Sequence, residues 1–195
     1  MKRLDCLKLL APMVDPHMLT VTSLSSNTAF WSDLRREGAS FFGCNMGLCI
    51  PFALGLTAAF PKRKVIALDS DGSLMNDTSS LITVADVNPA NFVVIVMDNG
   101  SYARMGSTFT TRKTDLEKIA QGAGIANTIT VRSEEAFSAA VRQALESTGP
   151  HFIVAKVEPD RVRVKGDPHR TYGRFMRELF VDAVRRHPDY QQAKK

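Results

Sequence analysis

Apolar and polar positions switch between two spacings along this chain, and the switching predicts a succession of strands and helices. Lys64 to Asp69 reads as a strand buried on both faces. Phe92 to Met97 (Phe-Val-Val-Ile-Val-Met) is the clearest strand of all, and shorter strands are predicted at Leu19 to Thr22, Thr128 to Val131 and Phe152 to Val157. Between them lie helical spans. Ser26 or Asn27 caps a helix to about Glu37, stopped by Gly38. Another runs from Leu48 to Phe60 with Pro51 in its first turn. Further helices are predicted from Ser73 to Val87 and from Asp115 to Ala123 (capped by Thr114). Two more run from a Ser133 cap to Ser147, with Glu134 or Glu135 near the capping-box position, and from Tyr172 to Arg186. Phe41 and Phe42 lead into a small-residue turn, Gly43-Cys44-Asn45-Met46-Gly47, and a long loop covers Asp98 to Lys113.

Strands alternating with helices predict one α/β domain over 1–195: a single doubly wound parallel sheet with helices on both faces. The end, 188–195 and above all Gln191 to Lys195, reads as a frayed tail. Ligands of such sheets bind beyond the carboxyl ends of strands. Two strand ends carry chemistry: Asp71-Gly72-Ser73 and, with Asn99 placed 28 residues after Asp71, Asp98-Asn99-Gly100. A magnesium ion takes about six oxygen ligands and shares them readily with phosphate. Asp71 offers a carboxylate, Asn99 an amide oxygen, and the loop beyond a backbone carbonyl. Gly72 allows close backbone approach, and Ser73 with the first N–H groups of the next helix makes an anion site.

With 195 residues, 44% hydrophobic and 23% charged, the chain fits one well-buried domain. Its longest apolar stretch is interrupted by Pro51 and too short to span a bilayer, and the N-terminus shows no signal peptide. Three cysteines, Cys6, Cys44 and Cys49, argue against a disulfide framework and suit the cytoplasm. The formal charge of +5 gathers after Arg161, at Arg163, Lys165, Arg170, Arg174, Arg177, Arg185 and Arg186. No aromatic-interleaved basic motif or zinc spacing accompanies it, so neither nucleic acid nor membrane is expected as a partner.

The Asp-Gly-Ser to Asn spacing, with the Gly43–Gly47 turn upstream, resembles the pyrophosphate-binding domain of thiamine-diphosphate-dependent 2-oxoacid decarboxylases. The likeness runs to sulfopyruvate decarboxylase β subunits and the matching half of phosphonopyruvate decarboxylases, and covers nearly the whole chain. The resemblance implies that Asp71 and Asn99 bind Mg²⁺ through side chains and Ser101 through its carbonyl. Gly72, Ser73, Ser25 and Ser26 would meet the diphosphate, and Tyr102, in the matching loop, would also contact the cofactor. Met46, in the turn with Asn45, would hold the cofactor bent, and the Cys44 carbonyl would accept from its 4′-amino group. Ser70, Asp98, Cys44 and Asn45 depart from the family's usual residues. The family also needs an activating glutamate from a separate pyrimidine-binding domain, and no Glu here stands in a matching context. The resemblance therefore implies half of an active site: a hetero-oligomer with a pyrimidine-binding α subunit, turning over a small anionic 2-oxoacid. Arg104, Arg112 and Lys113 are candidates to meet the substrate's anionic group.

Two other readings stay open. Asp69-Ser70-Asp71-Gly72-Ser73 resembles the Asp-x-Asp-Gly-Ser/Thr motif of haloacid-dehalogenase-type phosphatases, with Asp69 as nucleophile and Asp71 as general acid/base on Mg²⁺. Against it, that motif usually lies on the first strand, and Gly166-Asp167-Pro168 is the nearest candidate for the later acidic pair. The other is a non-catalytic nucleotide-binding or scaffold module. His17, His151, His169 and His187 show no ligand spacing.

Overall fold

A computed structural model describes residues 1–35, 38–102, 105–160, 173–188 and 190. Six strands form one parallel sheet: β1 Leu19–Ser23, β2 Ala39–Cys44, β3 Val65–Ser70, β4 Phe92–Asp98, β5 Asn127–Val131 and β6 His151–Lys156. Their spatial order is β2-β1-β3-β4-β6-β5, all neighbours parallel. The chain steps from β1 outward to β2, then returns across β1 to β3. The switch point therefore lies between β1 and β3, where such sheets open a crevice at the strands' carboxyl ends.

Period-two alternation sends Val65, Ala67, Val94 and Val96 to one face of the sheet, and Ile66, Leu68, Val93, Ile95 and Met97 to the other. The first face packs under α3 Cys49–Ala59, α5 Ser80–Val87 and α6 Leu116–Ala123. The second packs under α1 Arg3–Leu10, α2 Ser26–Leu34 and α7 Glu134–Glu146. The last helix, α8 Gly173–Arg185, adds Phe180 and Val184 to the first core and Met176 to the second. All residues of β4 are buried, as a strand covered on both faces requires. Burying each large side chain here contributes on the order of 2 kcal/mol. Trp31 is fully buried, and its ring N–H donates to Thr20 Oγ1 at 3.0 Å.

The doubly wound fold is as expected, but several elements differ. Ala39–Cys44 is an edge strand rather than an approach to the turn. The span from Ser73 to Val87 is two helices: α4 Asp71–Leu74 ends in a turn at Met75 and Asn76, Asp77 Oδ1 accepts from Ser80 N, and α5 begins afresh. The cap of α6 is Asp115, whose carboxylate accepts from Glu117 N and Lys118 N; Thr114 lies one residue too early. Ser133 caps α7 by accepting from Ala136 N, and with Ala136 in the third helical position there is no capping box. Helix α2 is preceded by Ser25, not Ser26 or Asn27, and ends at Leu34. Helix α1 was not foreseen at all. It is fixed from afar: the buried Arg3 donates to Asp160 Oδ2 at 2.8 Å and to Asn27 Oδ1. Glu37, Arg104, Tyr172, the Gly166–Pro168 segment, His169, Gln191–Lys195 and, of the basic cluster, Arg163, Lys165 and Arg170 lie outside the described residues.

Candidate functional site

The carboxyl ends of β1, β2, β3 and β4 converge around the switch point. After β1, Ser25 adopts φ 71° and ψ −131°, a conformation rare for a residue with a side chain. Such strain persists only where surrounding structure enforces it, and it gathers at functional sites. Ser25 is exposed and Ser26 half-buried at the start of α2. Beside them Asn27 is buried, and its amide donates to the carbonyls of Leu68 (3.2 Å) and Asp69 (2.8 Å) and to Ser23 Oγ (3.1 Å). Asn27 thus ties α2 to the end of β3, with Arg3 behind it.

Cys44 is the last residue of β2, and its carbonyl accepts from Leu24 N at 2.9 Å, leaving one lone pair. Asn45 is exposed and Met46 half-buried in the turn that follows. Gly47 sits at φ +82°, and its N–H donates to Ser73 Oγ at 3.2 Å. That bond joins the Met46 turn to the Asp71 turn, two motifs that the sequence offers separately. A cavity of about 380 Å³ opens beside this turn, lined by Phe41, Cys44, Asn45, Leu48, Pro51 and Phe52.

After β3, Asp71 opens α4 fully buried. Its Oδ2 accepts from Thr108 Oγ1 at 2.6 Å, while its Oδ1 is buried with no hydrogen-bond partner among the described residues. Burial pushes the Asp71 carboxyl above its ordinary range; the Thr108 bond pulls it down and the Asp98 charge pushes it up. A buried carboxylate oxygen without a donor is costly, and a cation is the partner that such an atom fits. A Cβ at Gly72 would lie 2.7 Å from Tyr102 Cε1, so the half-buried Tyr102 ring covers this backbone. Ser73 is only 2% exposed, with its hydroxyl bonded to Gly47 N and Asp69. Its side chain therefore lies beneath the site's surface.

After β4, Asn99 is half-buried, and its Oδ1 accepts from Ser101 N at 3.0 Å. An amide oxygen has a second lone pair to give. Gly100 at φ +66° makes the turn, and Ser101 bridges to Ser107 across the loop. Asp98 is buried, bonded to Thr110 Oγ1 (2.8 Å), Gly100 N (3.2 Å) and the Lys156 ammonium. Among the described residues no three His, Cys, Asp or Glu side chains gather to hold a metal. A cation at Asp71 would draw its remaining oxygens from Asn99, a loop carbonyl and a ligand's phosphate, a donor set suited to Mg²⁺. Sequence reasoning missed Thr108, Thr110, Lys156, Asn27 and Arg3; the hydroxyl-rich run Thr108 to Thr111, in the loop that follows Asn99, was the one local signal.

The phosphatase reading meets a geometric obstacle. Asp69 is 1% exposed, its Oδ1 accepts from Ser70 N at 2.8 Å, and Ser23 and Ser73 also bond it. A nucleophile must reach phosphorus, and this carboxylate is enclosed. Burial pushes its pKa up to about 6; burial, and after it the Asp69 charge, raises the Cys44 thiol to about 12. Arg112 lies over the Phe109 ring, 5.9 Å from its centre, and Lys113 is exposed.

Residues 26–155 match the family model described as thiamine pyrophosphate enzyme, C-terminal TPP binding domain. The chain is 33% identical over 162 residues to the sulfopyruvate decarboxylase subunit beta of Methanocaldococcus jannaschii, covering 81% of this chain and 85% of that one. It is 30% identical over 158 residues to the phosphonopyruvate decarboxylase of Streptomyces viridochromogenes, covering 80% of this chain but 39% of that protein. Among solved structures, the thiamine diphosphate-dependent 4-hydroxybenzoylformate decarboxylase of Rhodococcus jostii RHA1 superimposes with a TM-score of 0.66 at 24% identity. That superposition covers 83% of this chain and 33% of that one.

Proposed function

The chain belongs to the thiamine pyrophosphate enzymes, whose C-terminal TPP-binding domain it carries, and on that premise we propose that it is the diphosphate-holding β subunit of a 2-oxoacid decarboxylase dependent on thiamine diphosphate and Mg²⁺. The observation that carries the reading is the partnerless Oδ1 of Asp71, buried at the switch point beside Asn99. Asp71, Asn99 and the Ser101 carbonyl would hold Mg²⁺. Ser25, Ser26 and the backbone of Gly72 would border the diphosphate, while Cys44, Asn45 and Met46 would shape the ring end and exclude water. When bound, thiamine diphosphate supplies the sink for the electron pair freed as CO₂ leaves.

The described glutamates lie on α6, α7 and α8 and just after β6; none follows β1, β2, β3 or β4. This supports a partner α subunit, binding the pyrimidine end, as the source of the activating glutamate. The naming of the methanogen relatives as β subunits supports a hetero-oligomer. Their names and those of the phosphonopyruvate enzymes favour a small 2-oxoacid with a further anionic group. Cys6, Cys44 and Cys49 are all buried free thiols, which suits the cytoplasm.

The test is reconstitution. The chain with its α subunit, Mg²⁺ and thiamine diphosphate should release CO₂ from an anionic 2-oxoacid, and the chain alone should not. Robust turnover by the chain alone would refute the shared site, and no CO₂ from any of a panel of 2-oxoacids would refute the class.

A further inference from the structure

Thr108 touches both halves of the proposed cation site. Its side chain, 1% exposed, donates to Asp71 Oδ2 at 2.6 Å. Its backbone N–H donates to the carbonyl of Gly100, next to Asn99, at 2.9 Å. Thr108 thus ties the Asn99 turn to the Asp71 carboxylate. Thr110 backs it: its Oγ1 lies 2.8 Å from Thr108 Oγ1, 2.8 Å from Asp98 Oδ1 and 3.4 Å from Asp71 Oδ2. Asp98 is anchored in turn by Lys156, its register partner at the end of the adjoining strand β6.

The proton count narrows the arrangement. Each hydroxyl has one proton to donate. The short contact assigns that of Thr108 to Asp71 Oδ2, while Thr110 has Asp98 and Thr108 as near acceptors. Among the described residues, the side-chain hydrogen bonds to Asp71 both reach Oδ2, and Oδ1 is the atom left without a donor. A carboxylate that binds a cation through one oxygen is oriented by the donor on its other oxygen.

We infer that Thr108 and Thr110 are positioning residues of the cation site. Thr108 fixes the rotation of the Asp71 carboxylate so that Oδ1 is kept for the cation, and it sets the reach to Asn99. Thr110, with the Asp98–Lys156 pair, holds Thr108 in place. The inference rests on the reading that Asp71 takes a divalent cation.

Mn²⁺ binding to the full chain in the presence of thiamine diphosphate, followed by electron paramagnetic resonance, tests it. Thr108→Val keeps the shape and removes the hydroxyl; it should weaken Mn²⁺ binding about tenfold or more, the scale on which the partners of metal ligands act. Thr108→Ser restores the hydroxyl and should restore most of the affinity. Unchanged or tighter binding by Thr108→Val overturns the inference, as does a Thr108→Ser chain as weak as Thr108→Val, which would assign the effect to packing. If Thr108→Val does not fold, Thr110→Val carries the test, with weakening of about threefold expected from one lost hydrogen bond and unchanged affinity overturning it. A wild-type chain that binds no Mn²⁺ defeats the cation assignment itself and the inference with it, whereas wild-type binding with indifferent threonine variants defeats the inference alone.

Discussion

Asp71 and Asn99 follow neighbouring strands and would serve the same cation, but the turn after β3 and the loop after β4 are built in opposite ways. The β3 turn is packed into the protein: residues 71 to 74 are buried, Tyr102 covers Gly72, and Ser73 is bonded to the turn at Gly47. The β4 loop lies at the surface, with Met105 83% and Phe109 59% exposed, and it is held by hydroxyls and turn bonds. The donor atoms differ in the same sense. Among the described residues Asp71 Oδ1 has no partner, whereas Asn99 Oδ1 already accepts from Ser101 N. One ligand is set in advance at a cost to the fold; the other satisfies itself and has only a spare lone pair to give.

The largest expected effect follows from that difference. Asp71→Ala should abolish cation-dependent CO₂ release by the reconstituted enzyme and weaken Mn²⁺ binding by more than about a hundredfold, beyond the range of outer partners. The circular dichroism spectrum should remain that of the wild type. Asn99→Ala comes next. It should raise the Mg²⁺ needed for half-maximal activity about tenfold, because phosphate and water oxygens can stand in for a neutral ligand. An Asn99→Ala loss equal to that of Asp71→Ala would break the comparison, since the two ligands would then be equally indispensable.

The same contrast explains what could be read from the chain without coordinates. Strands β3 and β4 were legible because burial on both faces forces an unbroken apolar run, and their ends located Asp71 and Asn99. Strand β2 was not, because Ala39-Ser40-Phe41-Phe42-Gly43-Cys44 lacks β-branched residues and ends in small ones. The cap of α6 passed to Asp115 because two adjacent residues can both cap, and only the backbone decides between them. Helix α1 and Arg3 were hidden for a different reason: the partners of Arg3 are Asn27 and Asp160, the latter 157 residues away. Thr108 likewise gains its meaning from Asp71, 37 residues upstream. Local pattern reports which strand ends carry donors, and it is silent about the non-local side chains that aim them.

Asp69 supplies the smallest effect and the sharpest control, because it is a second buried carboxylate, near the end of β3 and two residues before Asp71, with its donors in place. If burial alone made a carboxylate functional here, Asp69 and Asp71 would respond alike. Burial raises the Asp69 pKa from 3.8 to about 6, so the folded chain holds this proton more tightly than the unfolded one. Its contribution to stability is therefore fully present below about pH 4 and is lost as pH rises through about 6. In the cation-free chain, unfolding by urea should show wild type losing on the order of 2 kcal/mol more than Asp69→Asn between about pH 5 and pH 7.5. The reconstituted Asp69→Asn enzyme should still release CO₂, because the carboxylate is enclosed and reaches no ligand. Parallel pH slopes for the two chains would show that Asp69 is not the titrating group. Loss of CO₂ release on Asp69→Asn would make Asp69 part of the site and remove the distinction between an enclosed carboxylate and one that presents a free oxygen.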